Sequence, residues 1–167
     1  LMDGDAYLRV RDVPRVSIVP GDSIRFLGTT ARHDGVAVLS DAEPFVLAER
    51  VAIPEPVELS TLDASGADGG RLDAALVRIE TADVVSTEEG EDGVSVTASD
   101  GSGELEIWVR DFLGLDAEDV RPDSTRVVEA VGVLVPVPGG GDSRWRLVPR
   151  TTDDLLLEPV TAADEEE

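Results

Sequence analysis

The sequence predicts an all-β chain: a complete five-stranded Greek-key barrel over residues 71–160, preceded by a partial module of about three strands over residues 1–50. Three observations carry this reading. Val is abundant while aromatics make up only 4%, so β-branched and aliphatic residues, which suit strands, must build the core. The 16 Gly and 10 Pro fall mostly between short apolar runs, as in strands joined by turns. The third observation is that the chain repeats itself.

The repeat has three parts in the same order. Residues 6–12 (AYLRVRD) resemble residues 105–111 (LEIWVRD), each an alternating run closed by Val-Arg-Asp. A second run ending in Gly follows in each copy: 22–28 (DSIRFLG) and 126–132 (RVVEAVG). Each copy then crosses a turn, at 33–35 (HDG) and 138–142 (PGGGD), into a further strand at 36–39 or 145–148.

Only the second copy has the opening strands. Residues 72–85 form a long apolar run with a period near two at its centre. Residues 88–93 (EEGEDG) read as a loop, 94–98 (VSVTA) as a strand and 100–103 (DGSG) as a tight turn whose glycines can take positive φ. Residues 105–109 form the third strand. Residues 112–123 suit one or two helical turns, and strands four and five follow at 126–135 and 145–148. Residues 51–70 read as a Pro-containing linker, extended over 51–57 and loop-like over 61–70, with Leu59 and Leu62 docking it. Residues 161–167 read as an acidic tail.

This order, with a helical or looped connection between strands three and four, resembles the OB-fold family. More narrowly it is similar to the tandem OB modules of secreted bacterial nucleases and surface proteins. Residues 76–79 (LVRI), 100–103 (DGSG) and 145–150 (WRLVPR) with Asp153 and Asp154 carry the likeness. The resemblance implies a non-catalytic accessory module that docks or spaces other domains of a longer parent chain, or binds a protein partner. Its alternative implication is binding of single-stranded nucleic acid or an oligosaccharide on the outer face of strands two and three.

Charge bears on that choice. Thirty-six acids face 14 bases, for a net charge of −22, and every base is Arg. Such a surface suits work at high salt, where repulsion is screened; the plainer account, a GC-rich genome that writes Arg for Lys on a soluble surface with no polyanionic partner, is slightly favoured. Attraction to phosphate is therefore expected to be weak at ordinary ionic strength. A secreted or cell-envelope location is favoured, and a halophile cytoplasm also fits. The chain enters a strand-like run by residue 6, as a segment of a longer protein would.

Motifs for chemistry are sparse. The chain has no Cys, which excludes disulfides, thiolate metal sites and a Cys nucleophile. It has no nucleophile elbow, and without Lys it can have no P-loop. His33 beside Asp34 and Gly35 reads as a turn residue. Residues 63–69 resemble a calcium loop only faintly, since the twelfth position from Asp63 is Ala74 where a bidentate acid is needed. No enzyme activity, cofactor or metal is expected, and no apolar run is long enough to span a bilayer.

Strand parity supplies the candidate surface. Leu105, Ile107 and Val109 must share the inner face, so Glu106, Trp108 and Arg110 point outward. Likewise Val94, Val96 and Ala98 point in while Ser95 and Thr97 point out. The candidate ligand residues are thus Trp108, Arg110, Ser95 and Thr97, with Tyr7, Arg9 and Arg11 as their first-copy counterparts. Trp145 shares parity with Leu147 and belongs to the core, while Arg144 and Arg146 point the other way.

Overall fold

The computed structural model describes residues 2–3, 6–14, 17–33, 36–51, 53–122, 124–138 and 144–160. The acidic tail, residues 139–142 of the second-copy turn, and Asp34 and Gly35 of the first lie outside the described residues. The chain forms two compact units, residues 1–55 and 56–167.

In the first unit, β1 (Met2–Asp3) pairs with β2 (Ala6–Tyr7) as a small ladder of its own. The main sheet holds β3 (Arg9–Val10), β4 (Ser23–His33) and β5 (Val36–Ala48) in the order β3-β5-β4. β3 runs parallel to β5, and β4 is antiparallel to it. Residues 6–12, read as one strand from the sequence, are therefore split: Tyr7 stands in the β1–β2 ladder and only Arg9 and Val10 join the sheet. Asp22 closes the base of the β4–β5 hairpin by accepting the Val19 and Arg50 N–H groups, which hold its carboxyl below the usual range.

The second unit opens with β6 (Val57–Glu58) and a helix, α1 (Thr61–Gly70). The linker reading fails here: β6 pairs in parallel with the next strand, and residues 61–70 are helical. Sequence propensity argued against a helix containing three glycines and two aspartates. Packing decides otherwise. Thr61, Ala64 and Ala67, spaced i, i+3, i+6, are all buried. The Ser60 side chain caps the start by accepting the Asp63 N–H. Ala67, Asp68 and Gly69 turn left-handed at the far end (φ 44°, 47° and 65°), and the faint calcium loop of residues 63–69 is thereby absorbed into this helix and its end.

Five strands follow: β7 (Leu76–Gly90), β8 (Gly93–Ser99), β9 (Glu104–Arg110), β10 (Thr125–Pro136) and β11 (Trp145–Val148). β7 is longer than the sequence suggested. It continues through Glu88 and Glu89 and turns at Glu91 and Asp92 only. Its first half pairs with β10 and its second half with β8, so β7 bends across the barrel, with Asp83 paired on both sides. β8 pairs with β9, β9 runs parallel to β11, and β11 is antiparallel to β10. The circuit β7-β8-β9-β11-β10-β7 is closed. The second unit is an OB-type barrel. Short 3₁₀ turns at Asp111–Leu113 and Ala117–Asp119 connect β9 to β10. A sixth strand, β12 (Leu155–Pro159), unread in the sequence, adds to β10.

Val77, Ile79, Val96, Leu105, Ile107, Val109, Val127, Leu134 and Leu147 are fully buried and fill this barrel. Each buried aliphatic side chain contributes about 1.5–3 kcal/mol of transfer free energy, so the parity that directs them inward is strongly enforced. Trp145 is buried as expected, and its Nε1–H donates to Asp73 Oδ1 at 3.1 Å.

Candidate functional site: the outer face of strands β7, β8, β9 and β11

Cross-strand register lays the outward side chains in rows. One row runs Glu88, Ser95, Trp108 across β7, β8 and β9. The next runs Ser86, Thr97, Glu106, Arg146 and reaches β11. At the turn end, Gly90, Gly93 and Arg110 align. Ser95, Thr97 and Trp108 thus form a contiguous group, and Arg110 lies exposed at its edge.

Trp108 points outward and is half-buried, because its neighbours cover it. The Arg146 guanidinium sits 4.8 Å from the indole centroid, a cation–π arrangement. The same guanidinium donates to Glu106 Oε1 at 3.0 Å, and both side chains of that pair are largely shielded from water. On the turn side the indole lies against Gly90, where an added Cβ would come within 2.9 Å of Cη2. Bare backbone at residue 90 therefore sets the ring position. The group is a braced aromatic plane with a cation layered on it and two hydroxyls beside it.

Two contributors escaped the sequence reading. Arg146 belongs to the site because β11 lies beside β9, which alternation within one strand cannot reveal; its parity, opposite to Trp145, was the available signal. Phe112 is the other. It was read as part of a helical connection, yet it is 69% exposed just beyond Arg110, where the Asp111 N–H donates to Asp92 O at 3.1 Å and ties this segment to the β7–β8 turn. Glu88, Glu89, Glu91 and Asp92 are exposed at the same end, so that rim is strongly negative.

Two carboxylates hold the frame. Asp100, in the β8–β9 turn, accepts from the Ser102 hydroxyl and N–H and from the Thr61 hydroxyl and N–H. The Ser102 and Thr61 hydroxyls are the main reasons its carboxyl lies far below the usual range. Asp100 thereby pins the start of α1 to the turn. Asp154 is buried in the short 3₁₀ turn Thr152–Asp154 that follows β11. It accepts from Arg150 Nε at 2.9 Å, Nη2 at 2.8 Å and the backbone N–H at 2.8 Å, and from the Thr151 N–H at 3.1 Å. Burial alone would raise this carboxyl; the Arg150 contacts outweigh it and hold it low.

In the first unit, Tyr7 and Arg9 are half-buried, on β2 and β3 respectively. Arg11 is exposed just past β3, its N–H donating to Leu39 O. His33 is exposed at the end of β4, paired with Val36. Among the described residues no group of three or more His, Asp or Glu side chains could hold a metal ion, and no helix is long and apolar enough to cross a membrane.

No protein-family profile matches the chain, and no curated protein matches it. Solved structures that the chain partly matches include a replication protein A heterotrimer bound to ssDNA, 22% identical, with 55% of this chain and 64% of that chain covered and a TM-score of 0.35. A murine DNA binding protein bound with ds DNA is 11% identical, with 86% and 73% covered and a TM-score of 0.45. The S. pombe Stn1-ten1 complex is 14% identical, with 55% and 62% covered and a TM-score of 0.39. The match spans a little under two thirds of the replication protein A and Stn1-ten1 chains.

Proposed function

We propose that this chain is a non-catalytic OB-type module that binds single-stranded nucleic acid on the outer face of β8 and β9. The observation that carries the reading is the braced plane at Trp108: Arg146 layered at 4.8 Å, Gly90 behind, Ser95 and Thr97 alongside. Nucleobases stack on aromatic rings and on guanidinium planes, and one stacked base is worth about 1–3 kcal/mol. The hydroxyls offer hydrogen bonds to base edges, and exposed Phe112 extends the apolar surface toward the turn. The acidic rim opposes phosphate, so stacking dominates recognition.

A second reading, docking of a protein partner on this face, is favoured by the negative rim around exposed Phe112, which suits a basic partner surface. Tryptophan fluorescence during titration with short oligonucleotides, at low and at multimolar salt, separates the two. Trp145 is buried and hydrogen-bonded, so quenching reports Trp108. The expected result is quenching abolished by Trp108→Ala with the fold intact by circular dichroism. No quenching in either buffer removes nucleic acid and leaves the docking reading.

A further inference from the structure

We infer, resting on the single-strand reading above, that Glu106 selects the base held at Trp108. The base it selects carries an amino group beside a ring-nitrogen acceptor on its pairing edge, as cytosine and adenine do and as thymine and uracil do not.

Glu106 spends only half of its carboxylate. Oε1 accepts from Arg146 Nη1 at 3.0 Å, and among the described residues Oε2 has no partner. The frame carboxylates differ: Asp100 and Asp154 each use both oxygens on donors of the protein. A carboxylate is acceptor-only, with about four lone-pair sites to satisfy. The Glu106 side chain is 16% exposed, so little water serves the open oxygen. A shielded acceptor left unmet costs free energy that an arriving N–H recovers.

Its place on the sheet brings it to the edge of a stacked base. Glu106 and Trp108 stand two residues apart on one face of β9, about 6.5 Å along the strand. A base ring against the indole and one hydrogen bond span that interval. Arg146 ties the two together, because the guanidinium that lies 4.8 Å from the indole centroid also holds Oε1. Across the strand, Thr97 pairs with Glu106 and Ser95 with Trp108. Neither hydroxyl has a partner among the described residues, and a hydroxyl rotates to donate or to accept.

Chemistry then separates the bases. Cytosine and adenine offer an amino N–H to Oε2 and, next to it, a ring nitrogen that accepts from the Thr97 hydroxyl. Carboxylates are known acceptors for the cytosine amino group. Thymine and uracil flank their one pairing-edge N–H with carbonyl oxygens, which a carboxylate repels. Guanine suits a carboxylate best when its two neighbouring N–H donors each meet one oxygen, and Arg146 already occupies Oε1.

The test is fluorescence titration of the full chain at pH 7 with short oligomers of deoxycytidine, deoxyadenosine, thymidine and deoxycytidine dimethylated on its amino nitrogen. Dimethylation removes the amino donors and keeps the ring acceptor. The expected result is that the deoxycytidine and deoxyadenosine oligomers bind about tenfold more tightly than the other two, the scale of one well-made edge contact. Glu106→Gln should abolish that preference, because an amide donates to thymine as readily as it accepts from cytosine. A preference that survives in Glu106→Gln, with the fold intact by circular dichroism, overturns the role of Glu106. Thymidine or the dimethylated oligomer bound as tightly as deoxycytidine by the unaltered chain overturns the proposal and leaves the single-strand reading standing; this comparison decides the matter even where the variant fails to fold. No quenching by any oligomer overturns both.

Discussion

Removing the Asp100 carboxylate should loosen the second unit by an amount that depends on pH. Asp100→Ala deletes the acceptor for four donors: the Thr61 and Ser102 N–H and hydroxyl groups. Hydrogen bonds to a charged group are worth about 1.5–3 kcal/mol each when buried. Asp100 is exposed, so solvent screens it, and the cost falls to the scale of a lost helix cap, about 1–2 kcal/mol. Part of the loss is recovered because the Thr61 hydroxyl can still donate to Gly103 O, 2.7 Å away. For a unit of this size, about 1–2 kcal/mol lowers Tm by about 4–10 °C. The sign of the pH effect follows from the depressed carboxyl. The contribution is complete above the unfolded-state value, near pH 4, and is lost as pH falls through the folded-state value. Thermal scans by circular dichroism at pH 7 and at pH 2–3 should therefore show a gap between wild type and variant that narrows in acid. An unchanged Tm at pH 7, or a gap that stays constant down to pH 2, would refute the assignment of Asp100 as the clamp on α1.

Four further variants test the same geometry. Gly132→Ala forces a Cβ against Val148 O and Leu147 and should cost about 2–3 kcal/mol or more by urea unfolding, whereas Gly66→Ala, with nothing within 4 Å on a helical residue, should stabilise by up to about 1 kcal/mol. Asp154→Ala leaves the Arg150 guanidinium without its partner; since that side chain is 41% exposed, the expected loss is about 2–3 kcal/mol, below that of a fully buried pair, and equal stability of Asp154→Ala and wild type at pH 7 would contradict it. Arg146→Ala uncovers one face of Trp108 and should shift part of the emission to the red and raise acrylamide quenching, while Trp145 stays blue; an unshifted spectrum would show that Arg146 does not cover the ring.

The strands that carry the site were legible because their signal is local and doubled. Val94, Val96 and Ala98 on one strand, and Leu105, Ile107 and Val109 on the next, alternate strictly, and burial on one face makes a one-residue slip costly. That alternation directs Ser95, Thr97, Trp108 and Arg110 outward. What stayed hidden depends on distant partners. The helix at 61–70 exists because Asp100 holds its start and because Ala64 and Ala67 are small enough to lie against the barrel; neither fact is present in ten residues rich in Gly and Asp. β12 is an edge strand whose only argument is β10 beside it. Glu88 and Glu89 read as a loop because of their charge, yet they extend β7, where Glu88 faces water and the hydroxyl of the preceding Thr87 donates to Val120 O at 2.7 Å. Arg146 over Trp108 required knowing that β11 lies parallel to β9.

The arrangement of charge also fixes how binding should respond to salt. Arg78, Arg126, Arg146 and Arg150 each sit within ion-pair distance of an acid on the barrel, and Arg110 lies exposed at the edge of the proposed face, at the same end as the Glu88 to Asp92 rim. A binder that holds Z phosphates of a single strand loses affinity with salt at a logarithmic slope of about −0.7Z, so three phosphate contacts would give about −2. Here salt screens a repulsion instead of competing with an attraction, while stacking on Trp108 is indifferent to ionic strength. The slope measured by fluorescence titration between 0.1 and 1 M salt should thus be zero or positive. A slope near −2 would mean that phosphates are gripped by arginines now seen paired with acids, and that the face works by opening those pairs rather than by stacking.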